Sequence, residues 1–66
     1  MAIGILALQY VNMRLPLKVC KSHNGFFLGT EHEGEPISRE SVQYWKTAEE
    51  AQEALKTAEW DQRLHP

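Results

Sequence analysis

Val42-Gln43-Tyr44-Trp45-Lys46-Thr47-Ala48-Glu49-Glu50-Ala51-Gln52-Glu53-Ala54-Leu55 decides the fold, because an aromatic strand pattern gives way within it to a capped amphipathic helix. Thr47-Ala48-Glu49-Glu50 has the form of a capping box. The Thr47 hydroxyl can accept from the N–H of Glu50 while the Glu50 side chain reaches back to the N–H of Thr47. Beyond it, at about 100° per residue, Ala48, Ala51, Ala54, Leu55 and Ala58 fall in one stripe, with Glu49, Glu53, Lys56 and Thr57 elsewhere. Acidic residues in the first turns and Arg63 towards the end suit the helix dipole, and Glu59 with Arg63 has i,i+4 spacing. Only Leu55 brings a large aliphatic group to the stripe, so a sheet must supply most of the apolar area.

Upstream, Leu15, Leu17 and Val19 alternate with Pro16, Lys18 and Cys20, the period of a half-buried strand. Asn24-Gly25 suits a two-residue type I′ turn, and Phe26 to Thr30 reads as the return strand. That register opposes His23 to Phe26, Lys21 to Leu28 and Val19 to Thr30. One face then carries Leu17, Val19, Phe26 and Leu28, and the other Lys18, Cys20, Ser22, Phe27 and Gly29. Thr30 to Pro36 is a charged connection, after which a third strand runs from about Ile37 to Lys46, with a turn or bulge in Ser38 to Ser41. The fold class expected is α+β: a small three-stranded antiparallel sheet packed on one C-terminal helix.

Met1 to Asn12 has no charged residue and is mostly apolar. It lacks the flanks of a secretory signal, and a membrane span needs roughly 20 apolar residues. The tract is expected to be a fourth strand, apolar on both faces, added to this sheet or exchanged with a second copy. Met13 can itself serve as a translation start. Residues 1–12 are therefore set apart as an extension or extra strand, with residues 13–66 as the single β-β-β-α domain.

At 66 residues the chain is near the lower limit for one hydrophobic core, and a lone cysteine rules out an internal disulfide. Oligomerisation is the remaining support. The unpaired thiol points to a reducing cytoplasm. Seven Lys and Arg against nine Asp and Glu give a net charge of −2, without the basic excess of a dedicated nucleic-acid binder.

Cys20 and His23 stand at Cys-x-x-His spacing, with His32 among Glu31, Glu33 and Glu35. Structural zinc wants four ligands in paired motifs, and a nucleophilic pair wants a third residue to orient the imidazole. Neither is present. The reading is a packed thiol beside a turn histidine and a solvated acidic loop, with no cofactor, no metal and no enzyme activity. Trp60 projects nearly opposite the alanine stripe: either it is an exposed interface anchor or the helix ends near Ala58 and Trp60 folds back. Phe27 and Trp45 are expected to share the sheet face away from Phe26, as a recognition surface or buried under residues 1–11. The candidate protein interface is therefore Trp60, Phe27, Trp45, Ile5 and Leu8.

A three-stranded antiparallel sheet leading to a helix entered by an aromatic, one residue, Thr, two residues and Glu-Ala resembles the arm-type DNA-binding module of phage integrases. The matching residues are Tyr44 or Trp45, Thr47, Glu50 and Ala51. The resemblance implies a bacterial or phage origin and a sheet laid against the major groove. Its candidate nucleic-acid contacts are Lys18, Lys21, Arg39 and Lys46, with Phe27 or Trp45 as apolar contacts. The leading expectation remains a non-enzymatic accessory domain that binds protein and self-associates as a homo-oligomer, away from any membrane.

Overall fold

The computed structural model describes residues 3–65. Helix α1 (Ile5–Val11) precedes β1 (Lys18–Ser22), β2 (Gly25–His32), β3 (Glu35–Arg39) and helix α2 (Ala48–Thr57). The strands form one antiparallel sheet in the order β1-β2-β3. The chain is an α+β domain with the C-terminal helix expected. It differs at the N-terminus, where the tract expected as a strand is α1.

The first hairpin pairs Ser22 with Gly25, Cys20 with Phe27, Val19 with Leu28 and Lys18 with Gly29. The turn is therefore His23-Asn24 rather than Asn24-Gly25. Gly25 still matters: its φ is +119°, and a Cβ there would lie 2.6 Å from the Trp45 carbonyl oxygen. The pairing moves by two residues, and an even shift preserves every facing. Val19, Phe26 and Leu28 share one side, and Lys18, Cys20, Phe27 and Gly29 the other. The charged connection is shorter than expected, because β2 continues to His32 and turns back through Glu33 and Gly34, both with positive φ.

β3 does not run on to Lys46. Both Glu40 and Ser41 donate their N–H to the Leu28 carbonyl, at 2.8 and 3.0 Å, so two residues oppose one and the ladder breaks, as a bulge does. Pairing resumes at Trp45, which exchanges two backbone hydrogen bonds of 2.8 Å with Phe26. Paired residues share a face, so Trp45 lies on the Phe26 side, not with Phe27 as expected. The extra residues at the break reverse the alternation. Tyr44 takes the place beside Phe27, edge-on with ring centroids 5.9 Å apart.

Trp45 borders the same cleft as α2, which puts that helix over the Val19, Phe26 and Leu28 face, in contact with β1 and β2. Its buried stripe is narrower than the sequence pattern: Ala51 and Ala54 are buried, Leu55 is half-buried, and Ala48 and Ala58 are exposed. Thr47 caps the helix by accepting from the Glu50 N–H at 3.1 Å. The return bond differs from a full capping box, since Glu50 Oε1 accepts from the Thr47 hydroxyl at 3.3 Å. Thr47→Ala removes the cap and should cost about 1 kcal/mol, read as a lowered urea midpoint; an unchanged midpoint would show the cap is idle.

α2 ends at Thr57 because Ala58 turns left-handed, with φ 60°. Glu59 and Arg63 are thus not an i,i+4 helical pair. The chain folds back instead, and Trp60 is half-buried. Val42 donates to the Asp61 carbonyl at 2.9 Å, and Arg63 donates to the Glu40 carbonyl at 2.7 Å. The Gln43 amide fixes this return by donating to Asp61 Oδ2 and accepting from the Asp61 N–H.

Met1 and Ala2 lie outside the described residues. Ile3 does pair in an antiparallel bridge, with Pro16, but from Ile5 the expected strand is helical, with only Leu6 and Ala7 of α1 buried. Gly4 enters by donating its N–H to the Leu15 carbonyl, and α1 packs on β3. Residues 3–12 therefore belong to the folded body.

Candidate functional site

The break after β3 brings Glu40 into the interior. The residue is 0% exposed, and a buried carboxylate is tolerable only when its oxygens are well supplied with donors. Glu40 Oε1 accepts from the Leu6 N–H at 2.9 Å and from the Gln62 amide at 2.8 Å. Oε2 accepts from the Ala7 N–H at 3.1 Å and the Ser38 hydroxyl at 2.5 Å. Leu6 and Ala7 lie in the first turn of α1, whose preceding residue Gly4 has no capping side chain. Glu40 supplies from a distance what a local Ser or Asp would otherwise give, and its charge suits the positive end of the helix. Burial pushes its pKa up, but the Leu6 N–H, the Ser38 hydroxyl, the Gln62 amide and the Ala7 N–H outweigh that and hold it below the ordinary carboxylate value. α1, β3 and the C-terminal segment thus meet at one carboxylate.

This core is unusually polar. Of the five largest side chains that are fully buried, Leu6 and Leu28 are apolar, and Glu40, Thr30 and Ser41 are not. Meanwhile apolar groups face outward: Ile5 is 47% exposed and Leu64 77%, with Tyr10, Val11 and Val42 about half exposed. Ile5, Leu8 and Val11 recur at i, i+3 and i+6, an arc of about 120° in which Ile5 and Val11 are about half exposed and Leu8 is half-buried. α1 has no acidic residue in its first turn and no basic one in its last.

The five candidate interface residues are not brought together. Ile5 is exposed and Leu8 half-buried on α1, while Trp45 and Trp60 are half-buried elsewhere in the chain. Phe27 is 9% exposed, under the edge of Tyr44. Trp45 forms one wall of an open cleft of about 410 Å³ whose rim carries Glu49, Glu50, Glu53 and Glu59. That rim repels anions. The four candidate cations are also divided. Lys18 is bound to Glu31 at 2.7 Å on the Phe27 side of the sheet. Lys21 reaches over Phe26 on the other side, Lys46 is exposed at the entry to α2, and Arg39 stacks over the Tyr44 ring.

Cys20 is buried, and His23 is exposed in the turn. Burial, and then the charge of Glu31, pushes the Cys20 thiol up, the opposite of what an activated nucleophile requires. Among the described residues, no group of three or more His, Cys, Asp or Glu side chains is gathered as metal ligands. Nor is any helix among them long and apolar enough to cross a membrane.

Sequence reasoning missed Glu40, Gln62 and the pairing of Arg39 with Tyr44. The α1 partners of Glu40, Leu6 and Ala7, lie 34 and 33 residues before it, and no local pattern announces them. In comparisons with protein-family models, curated proteins and solved structures, nothing matches this chain.

Proposed function

We propose that the domain is a non-enzymatic accessory module that works by protein contact, and that the first contact it makes is with a second copy through α1. The observation that carries this reading is the exposure of Ile5, Tyr10 and Val11 on a helix without charged residues, with Leu8 half-buried between them. A core whose largest buried groups are mostly polar leaves little surplus stability in so small a domain. Covering a half-exposed Ile or Val contributes on the order of 1 kcal/mol, so pairing two such helices is a material gain. An uncharged face also needs no oppositely charged counterpart, and a copy of itself in a two-fold arrangement satisfies it. The buried, unpaired Cys20 suits a reducing compartment, and the cytoplasm is the proposed location.

The test is the mass in solution by light scattering over a concentration series. The mass of the unaltered protein should climb towards twice that of the protomer. Val11→Lys places a cation at the C-terminal end of α1, where the helix dipole accepts it, and should hold the protein at protomer mass with its fold intact. A single-protomer mass at every concentration, or undiminished association in Val11→Lys, would remove the proposal. Deleting residues 1–12 is a poorer test, because it also takes Leu6 and Ala7 from the core.

A further inference from the structure

Two arginines from separate parts of the chain meet at the end of β3, one of them on Tyr44. Arg39, the last residue of β3, hydrogen-bonds through Nη1 to the Tyr44 hydroxyl and places its guanidinium carbon 4.7 Å from the ring centroid. Arg63 comes from the C-terminal segment. It is held by its N–H to the Glu40 carbonyl at 2.7 Å, and its Nη1 donates to the Arg39 carbonyl at 3.4 Å. Neither guanidinium has a carboxylate partner among the described residues, where the ion pair is Lys18 with Glu31. Arg39 Nε is moreover a buried donor without a hydrogen-bond partner. That Nε–H is closed to solvent, so an anion from outside can be met only by the remaining donors of the two arginines, which lack a counter-ion among the described residues.

We infer that Arg39, Arg63 and Tyr44 form a docking point for one carboxylate of an acidic partner peptide. The guanidinium presents a planar fork of donors that matches a carboxylate, and the tyrosine hydroxyl adds a further donor. The local field is positive in a chain of net charge −2: the hydrogen bond from Arg39 and then that from Asn24, aided by the charges of both arginines, lower the pKa of the Tyr44 phenol. A carboxylate fits better than a nucleic-acid backbone. Phosphodiester binding draws its affinity from many cations spread along a surface, whereas Lys18 on this side is already bound to Glu31. The inference goes beyond self-association through α1 and does not need it.

The experiment follows the arginine Nε–H resonances by NMR while the blocked dipeptide N-acetyl-Glu-Glu-amide is added. Sodium chloride at equal ionic strength and a short DNA duplex serve as separate arms. Saturable shifts at Arg39 and Arg63 are expected with the peptide and not with chloride. Arg63→Gln, in a half-exposed position, should weaken peptide binding by about tenfold or more. Arg39→Lys, which keeps the charge but not the fork, should weaken it as well. Absent or unsaturable shifts, equal shifts with chloride, or undiminished binding in Arg63→Gln would overturn the docking point. Saturable binding of the duplex without binding of the peptide would overturn it in favour of a phosphate-binding surface. Val11→Lys protein should bind the peptide like the unaltered chain, which separates failure of this site from failure of α1 pairing.

Discussion

Replacing Glu40 by Ala should destabilise the domain by about 3–5 kcal/mol, because several buried donors lose their acceptor together at about 1–3 kcal/mol each. The carboxylate is the acceptor for the Leu6 and Ala7 N–H groups, the Ser38 hydroxyl and the Gln62 amide. Alanine leaves these donors in a site closed to water. A domain of 66 residues has a total stability of roughly 3–10 kcal/mol, so much of the Glu40→Ala protein should be unfolded at room temperature. Glu40→Gln separates charge from shape. It keeps one acceptor oxygen but turns an NH₂ towards groups that are donors already, and should cost about 1–3 kcal/mol. Urea titration followed by circular dichroism measures both. Midpoints equal to that of the unaltered protein would show that Glu40 does not hold α1 and the C-terminal segment to the sheet.

The same carboxyl sets a pH dependence. Its pKa in the folded chain is below the ordinary value, so the unfolded state binds the proton more readily and stability falls on acidification. The contribution of Glu40 is complete above the unfolded pKa of about 4.3 and is lost as pH falls through the lower folded value. Glu40→Gln should flatten this part of the stability profile. A profile with the same acid slope in both proteins would place the titrating group elsewhere.

Leu28→Ala should be the next most damaging change, at about 2–5 kcal/mol for a buried leucine truncated in a core that cannot collapse freely. The side chain is 0% exposed at the centre of the face covered by α2, where the helix offers only Ala51 and Ala54 as buried groups. Neither can reach into the space left behind. The backbone of Leu28 also anchors the bulge, donating to the Ser41 hydroxyl and accepting from Glu40 and Ser41, so a cavity here adjoins the Glu40 network. Because the two sites share these partners, the double variant Leu28→Ala, Glu40→Gln should depart from additivity. A loss below about 1 kcal/mol for Leu28→Ala, the range of a surface substitution, would contradict the packing described.

Features encoded by near neighbours were legible in the sequence. The cap at Thr47, the alanines of α2 and the facings of β1 and β2 all follow from residues a few positions apart. The facings survived a misplaced turn only because the displacement was even. Trp45 and Tyr44 were exchanged for the converse reason: Glu40 and Ser41 both meet Leu28, and alternation carried across that break has the wrong parity. α1 reads as a strand because its apolar residues form no amphipathic stripe, and spacing alone does not reveal that Ile5, Tyr10 and Val11 are left exposed. Glu40 gave no signal, since a glutamate beside Arg39 in a polar tract looks like solvated surface until the chain brings α1 back to it. Of the candidate interface, Ile5 and Leu8 share one surface, while Phe27 lies beneath Tyr44.

The most direct measurement of the central claim is a dilution series of amide spectra of the unaltered protein. Self-association through α1 predicts concentration-dependent shifts at Ile5, Leu8 and Val11, with the amides of α2 and the β1–β2 hairpin unchanged. Shifts confined to α2 or the sheet, or none across the series, would contradict it.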